Sequence, residues 1–328
     1  MPRSIEDSVI VITGASSGIG RATALEFAKR RATLLLAARR TEVLEELALE
    51  CSRLGGTALP SAHVRVLAQP TDVTDEDQVQ ALAKRAIDLF GRLDVWVNNA
   101  AVTMFARFED APSDAYRRVI ETNLFGYIHG ARAALPLFRE QGSGVLINVA
   151  SVAGVAAQPY TSAYCVSKFG IRGLSSSLRM ELKLDGVNDI QVCTVLPATI
   201  DTPIFQHGAN FSGRKAKAMD PVYAAEEVAD AIVNLTQRPQ REIIVGQAGI
   251  PLVAEATLVP DLLEATFPGQ VDENHLEQTR VAPTTGNLFE PMTVYNRVSG
   301  GWRQTGEVFR EVMKTIKKTA QGLGLPIA

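Results

Sequence analysis

Cysteine is scarce in this chain: Cys51, Cys165 and Cys193 are the only three in 328 residues. They are too few and too scattered for a disulfide framework or a thiolate zinc site, and their number points to a reducing, cytoplasmic compartment. Charge of one sign is also missing. The 33 basic and 36 acidic residues leave a formal net charge of −3, which gives no electrostatic reason to bind nucleic acid or an anionic membrane. No apolar run reaches the ~20 residues of a membrane span. The most apolar stretch, residues 243–267, is interrupted by Gln247, Glu255, Asp261 and Glu264. The residues before Ser8 hold no apolar segment of signal-peptide length, so no leader is expected. The four histidines (His63, His129, His207, His275) have no metal-ligand spacing, and no metal is expected. What is present is an ordinary globular composition, 46% hydrophobic and 21% charged, with enough apolar material for a core.

Short apolar, β-branched runs recur at 9–13, 33–38, 63–68, 93–98, 144–150, 190–196 and 242–245. Amphipathic stretches lie between them at 21–30, 42–54, 76–90, 112–139, 163–184 and 223–235. This alternation predicts βαβ units, and strands apolar on both faces predict helices covering both sides. The expected fold class is therefore α/β, a doubly wound parallel sheet of about seven strands. Residues 197–221 read as a long loop carrying Phe205, His207, Phe211 and the basic run Arg214–Lys217. After Gly249 the alternation stops. Residues 1–250 are read as a catalytic domain and 251–328 as a C-terminal extension. The extension begins with a helical part broken at Pro260, continues turn-rich over 268–301, and returns to helical spacing over 302–320.

The first strand runs directly into Thr13-Gly14-Ala15-Ser16-Ser17-Gly18-Ile19-Gly20, and a helix follows. A dinucleotide pyrophosphate site requires this order of strand, glycine turn and helix start. Gly14 permits the tight turn, Gly18 lets backbone approach phosphate, and Gly20 lets helix pack on strand; Ser16, Ser17 and Ile19 complete the candidate cradle. A ligand-free glycine turn would look the same taken alone. The second strand ends in Arg39 and Arg40, where an NAD site places an acid for the ribose 2′-OH. A guanidinium pair there suits the 2′-phosphate of NADP(H) instead. Asp72, followed by Val73, sits where a carboxylate reaches adenine, but an acid preceding a helix reads equally well.

The fifth strand ends at Ser151, and Tyr164 and Lys168 follow at i, i+4 spacing on a helix, sharing one face. An ammonium beside a phenol favours the phenolate, so Lys168 is expected to lower the pKa of Tyr164. A tyrosine so tuned exchanges a proton with a carbonyl or alcohol oxygen, which Ser151 would orient. A Tyr-x-x-x-Lys pair by itself is usually helix packing; the serine and the glycine turn change that reading.

Residues 5–250 resemble the short-chain dehydrogenase/reductase family, in its branch with a single Rossmann-type domain. The resemblance rests on Thr13-Gly14-(x)3-Gly18-x-Gly20, Asn98-Asn99-Ala100-Ala101, Asn123, Ser151 and Tyr164-(x)3-Lys168. It implies Tyr164 as general acid/base, Ser151 as the group polarising the substrate oxygen, and Lys168 on the nicotinamide ribose. It further implies that Asn123 holds a water linking Lys168 to solvent. Asn98, Asn99 and Ala100 would line the cofactor floor beside the adenine ribose, Ala101, Val73, Pro197 and Thr199 would border the cofactor, and Thr202 would meet its carboxamide or pyrophosphate. Two positions depart from the family pattern, Ala101 and Ala198, where glycine is usual; each adds a methyl group. The substrate pocket is expected from Val152, Gln158, Tyr160 and Phe205, an apolar lining suited to a hydrophobic ketone, aldehyde or secondary alcohol. The run Arg214–Lys217 either greets an anionic carrier or is a solvated loop. The resemblance implies a homodimer or homotetramer. A non-catalytic nucleotide-binding regulator or scaffold is the alternative reading. Near the end, Val308, Phe309, Val312, Met313 and Ile316 form an apolar helical stripe, for packing on the body, on a sister subunit or on a membrane surface.

Overall fold

A computed structural model describes residues 4–6, 8–55 and 65–303. The chain runs β1 (Val9–Thr13), α1 (Gly18–Lys29), β2 (Thr33–Ala38), α2 (Thr41–Leu54), β3 (Val66–Pro70), α3 (Glu76–Phe90) and β4 (Val95–Asn98). It continues through β5 (Met104–Phe105), α4 (Ser113–Ile120), a π turn (Glu121–Phe125), α5 (Gly126–Gln141), β6 (Gly144–Val149), α6 (Ser162–Leu184) and β7 (Ile190–Pro197). Then follow α7 (Ile204–His207), β8 (Ala209–Asn210), β9 (Arg214–Ala216), α8 (Ala225–Gln237), β10 (Glu242–Val245), α9 (Gly249–Leu258), α10 (Pro260–His275) and β11 (Leu276–Arg280).

Seven strands form one parallel sheet in the order β10-β7-β6-β4-β1-β2-β3. Its strands are apolar nearly throughout because helices cover both faces. Phe27, Leu44, Leu47, Val228 and Ile232 pack one face, and Val79, Leu82, Ala134, Phe138 and Leu182 the other. Asp75 caps α3 by accepting from the Gln78 amide, and Gly91 ends it in the left-handed region at φ 72°. The strand order reverses between β1 and β4, so a crevice opens at their carboxyl ends.

Four local expectations change. The third strand begins at Val66, and residues 56–64 lie outside the described residues. The single helix foreseen over 112–139 is two helices joined by the π turn at Glu121–Phe125. The long loop 197–221 carries α7 and two short strands, β8 pairing with β5 and β9 pairing antiparallel with β11. Pro268 does not begin a turn-rich region: α10 passes through it, held to the body by Leu263, Phe267 and Val271 against Ala156, Met219 and Leu252. Beyond β11 the chain turns back across the carboxyl edge of the sheet. The apolar stripe foreseen from Val308 to Ile316 lies outside the described residues.

Candidate active site

The glycine turn after β1 is shaped by close approach. Gly14 sits at φ +66°, and a Cβ there would lie 2.6 Å from the Cα of Ala100. A Cβ on Gly20 would fall 2.3 Å from the Gly14 carbonyl oxygen, so this glycine closes helix onto strand rather than facing the cleft. Asn99 braces the turn: its side-chain amide donates to the carbonyls of Thr13 (3.0 Å) and Gly14 (3.2 Å). The N-terminus of α1 has neither a side-chain cap nor an acid in its first turn, which leaves it suited to an anion.

The turn opens onto a cleft of about 540 Å³. On its cofactor side the lining includes Gly14, Ser16, Ser17, Gly18, Ile19, Arg39, Arg40, Asp72 and Val73. Asn99, Ala100, Ala101, Pro197, Thr199 and Thr202 continue it, and Ser151, Tyr164 and Lys168 reach the same space with Val152, Gln158 and Phe205. Residues far apart in sequence are thus brought to one cavity.

Ser151 lies two residues beyond β6, its hydroxyl accepting from the Ala153 amide (3.1 Å) and donating to the Pro197 carbonyl (3.4 Å). Lys168 is 1% exposed; its Nζ donates to the Val149 carbonyl (2.8 Å) and lies 5.3 Å from the centre of the Tyr164 ring. Burial pushes the Tyr164 hydroxyl up to about 12, with a hydrogen bond to Ser151 pulling the other way. Burial also drives the Lys168 ammonium down to about 7. Burial, opposed by the Ser151 hydrogen bond, raises Tyr164 rather than lowering it as the pairing with Lys168 led one to expect.

Asn123 sits on the π turn, an element often placed at functional sites. It is fully buried behind the cleft, and its side chain is locked to Val102. Oδ1 accepts from the Val102 amide (2.8 Å), while Nδ2 donates to the Val102 carbonyl (2.9 Å) and to Ser167 Oγ (3.2 Å). Both of its amide hydrogens are spent, so a relay water would bond to an oxygen. Asn98 is structural: it accepts from Trp96 Nε1 and donates to the Tyr127 carbonyl and to Asn148.

Asp72 lines the cleft and is not the cap of α3. One carboxylate oxygen accepts from the amide and hydroxyl of Thr74, and the other takes Arg118 (2.7 Å). These partners hold its carboxyl below the usual carboxylate range against the opposing pull of burial. Arg39 and Arg40 stand at the end of β2 as foreseen, but their guanidinium groups are engaged by a segment that the sequence did not link to them, residues 287–297.

On the substrate side Phe205 and Gln158 are in place, the latter held by a hydrogen bond to Thr161 (3.1 Å). Tyr160 is a correction. It adopts φ +66°, its hydroxyl donates to Asp272 and its ring lies under Arg107, so it is absent from the cleft lining. The run Arg214–Lys217 is neither a solvated loop nor an open anion site. It forms β9 against β11, with Arg214 bonded to Asp272 (2.8 Å) and Lys215 to Glu277 (3.1 Å). The sequence reading missed the far wall, which α9 and α10 supply through Leu252, Leu263 and Phe267. The spacing Leu263, Phe267, Val271 was the available signal. His275 also lines the cleft, buried edge-on to Phe105 and Phe205 with Nδ1 at the Lys217 carbonyl.

Residues 8–211 match the family described as short chain dehydrogenase. The uncharacterized oxidoreductase YxnA of Bacillus subtilis is 32% identical over 95% of this chain and 86% of its own length. The probable oxidoreductase EphD of Mycobacterium tuberculosis is 32% identical over 79% of this chain, which is 44% of that protein. Among solved structures, an alcohol dehydrogenase from the archaeon Thermococcus sibiricus complexed with 5-hydroxy-NADP is 27% identical, with a TM-score of 0.62 over 73% of this chain and 96% of that one. A short chain dehydrogenase/reductase from Burkholderia phymatum in complex with NAD shares the fold, with a TM-score of 0.68 at 23% identity over 85% of this chain and all of that one.

Proposed function

The chain belongs to the short-chain dehydrogenase family, and on that premise we propose that it is an NADP(H)-dependent oxidoreductase interconverting a carbonyl and an alcohol. The observation that carries this reading is the convergence of Ser151, Tyr164 and Lys168 on the cleft that also holds the glycine turn. Bound nicotinamide supplies hydride exchange at C4, the difficult part of the chemistry. The chain supplies orientation and the proton. In the reducing direction the Tyr164 phenol gives its proton to the substrate oxygen while the Ser151 hydroxyl donates a hydrogen bond to that oxygen. The resulting phenolate lies near the Lys168 ammonium, which favours it electrostatically. The phenolate regains its proton from solvent, through a water beside Asn123 and then Lys168.

The pair Arg39 and Arg40, with no acid at the end of β2, supports NADP(H) over NAD(H). Phe205, Leu252, Leu263 and Phe267 around the cleft support a hydrophobic ketone, aldehyde or secondary alcohol as substrate. All three cysteines are buried free thiols, in keeping with a cytoplasmic setting. Among the described residues no helix is long and apolar enough to cross a membrane. The outer faces of α4–α6 support a homodimer or homotetramer: Phe125, Val166, Phe169 and Met180 there are 43–61% exposed.

The test is a panel of apolar carbonyl compounds assayed with NADPH and NADH, using wild type and Tyr164→Phe. The variant is expected to lose about 10²–10⁴-fold in turnover while still binding NADPH by calorimetry. Undiminished turnover would remove Tyr164 from the mechanism, and a preference for NADH would overturn the cofactor assignment.

A further inference from the structure

Arg39 donates to three backbone carbonyls in a row: Asn287 (2.6 Å), Leu288 (3.1 Å) and Phe289 (3.2 Å). Arg40 donates to the Met292 carbonyl (3.0 Å) and to the side-chain oxygen of Asn296, besides Ser16 Oγ (2.8 Å). The Gly18 amide, in the phosphate cradle, donates to the Arg297 carbonyl (3.0 Å). Arg118, already on Asp72, adds a bond to the Leu288 carbonyl (3.0 Å). One short segment thus supplies acceptors to both arginines and to an amide of the glycine turn.

The segment is fixed at its far end as well. Asp201 accepts from the amides of Gly300 (3.0 Å) and Trp302 (2.8 Å) and from Ser299 Oγ (2.6 Å). The Trp302 indole donates to the Thr202 carbonyl (3.2 Å) and to Gln206 (3.1 Å), with its ring edge-on to Phe205. At the near end the Asn287 amide donates to the His207 carbonyl (2.9 Å).

A guanidinium hydrogen committed to a carbonyl is not available to a phosphate, and carbonyl oxygens ringed round that guanidinium repel a phosphate dianion. We propose that residues 287–302 form a strap that competes with the 2′-phosphate of the dinucleotide for Arg39 and Arg40, so that strap closure and NADP(H) binding exclude each other. The strap is then an internal inhibitor: apparent cofactor affinity equals the intrinsic affinity multiplied by the fraction of chains with the strap open. This inference rests on the NADP(H) reading given above.

The experiment uses the full-length chain. Amide hydrogen exchange is followed at Asn287, Gly300 and Trp302 in the presence of adenosine 2′,5′-bisphosphate, of 5′-AMP, or of neither. NADPH and NADH affinities are measured by titration calorimetry for wild type and for Trp302→Ala. The bisphosphate is expected to speed exchange in the strap where 5′-AMP does not, and Trp302→Ala to bind NADPH about tenfold more tightly. Slower or unchanged exchange with the bisphosphate overturns the strap, as does unchanged or weaker NADPH binding by a folded variant. Should Trp302→Ala not fold, the wild-type exchange result decides alone. A chain that binds NADPH without altered strap exchange loses only the strap; one that binds NADH alone loses the cofactor reading, and the strap with it.

Discussion

Lys168 combines a charge with near-complete burial, and that combination reaches beyond catalysis. Its folded-state pKa of about 7 lies below the ordinary 10.5, so between those values the unfolded chain holds a proton that the folded chain has released. The burial cost is present in full below pH 7 and fades as pH rises, so stability climbs with pH across that window. Without nucleotide, the wild-type melting temperature is expected to gain this contribution between about pH 7 and 10, before the raised Tyr164 begins to act in the opposite sense. Calorimetric melting of Lys168→Met over the same range should lack the rise; equal slopes for the two proteins would show that Lys168 keeps its proton in the fold. At this scale the sequence was informative wherever a residue's role follows from local order: Gly14, Ser151, Tyr164 and Lys168 all reach the cleft. It misled where burial or a distant partner decides. The protonation of Tyr164 depends on desolvation, and Tyr160 is turned aside by Asp272, 112 residues away.

Among the elements, α10 carries the clearest consequence. It places Phe267 in both the substrate wall and the small core against Ala156 and Met219. Phe267→Ala is expected to cost about 3 kcal/mol in urea unfolding. It should also shift preference toward bulkier carbonyl substrates, read as the ratio of kcat/KM across a size series. An unchanged ratio with reduced stability would confine Phe267 to packing. The seven strands of the sheet and their flanking helices were legible because apolar runs and amphipathic periods report burial directly. The π turn at Glu121–Phe125 was not, since one extra residue in a helical turn leaves the apolar pattern of 112–139 nearly intact. Nor was α10 through Pro268, because tertiary packing by Leu263 and Val271 overrides the local cost of a proline.

Taken as a whole, the molecule is a sheet whose carboxyl edge is covered by its own C-terminal extension. Helices α9 and α10 wall the substrate side and the strap crosses the nucleotide side, while no described residue covers the helix faces bearing Val166 and Met180. If those faces join two copies, the double variant Val166→Glu, Met180→Glu should sediment as a monomer where wild type does not. Identical sedimentation would direct the search for an interface elsewhere. The global topology could be read from alternation and handedness alone. The path of the extension could not: the bonds from Arg39 and Arg40 span about 250 residues, and nothing local in either segment announces its partner.

The chain has two tryptophans, and they are unequally placed. Trp96 is sealed in the sheet core, whereas Trp302 sits half-buried at the end of the strap with its indole N–H bonded to Thr202. A Trp96→Phe chain would therefore carry a single tryptophan, at the segment whose movement matters. Excited at the red edge, its emission should shift to longer wavelength as the indole meets water, giving a label-free, stopped-flow clock for opening.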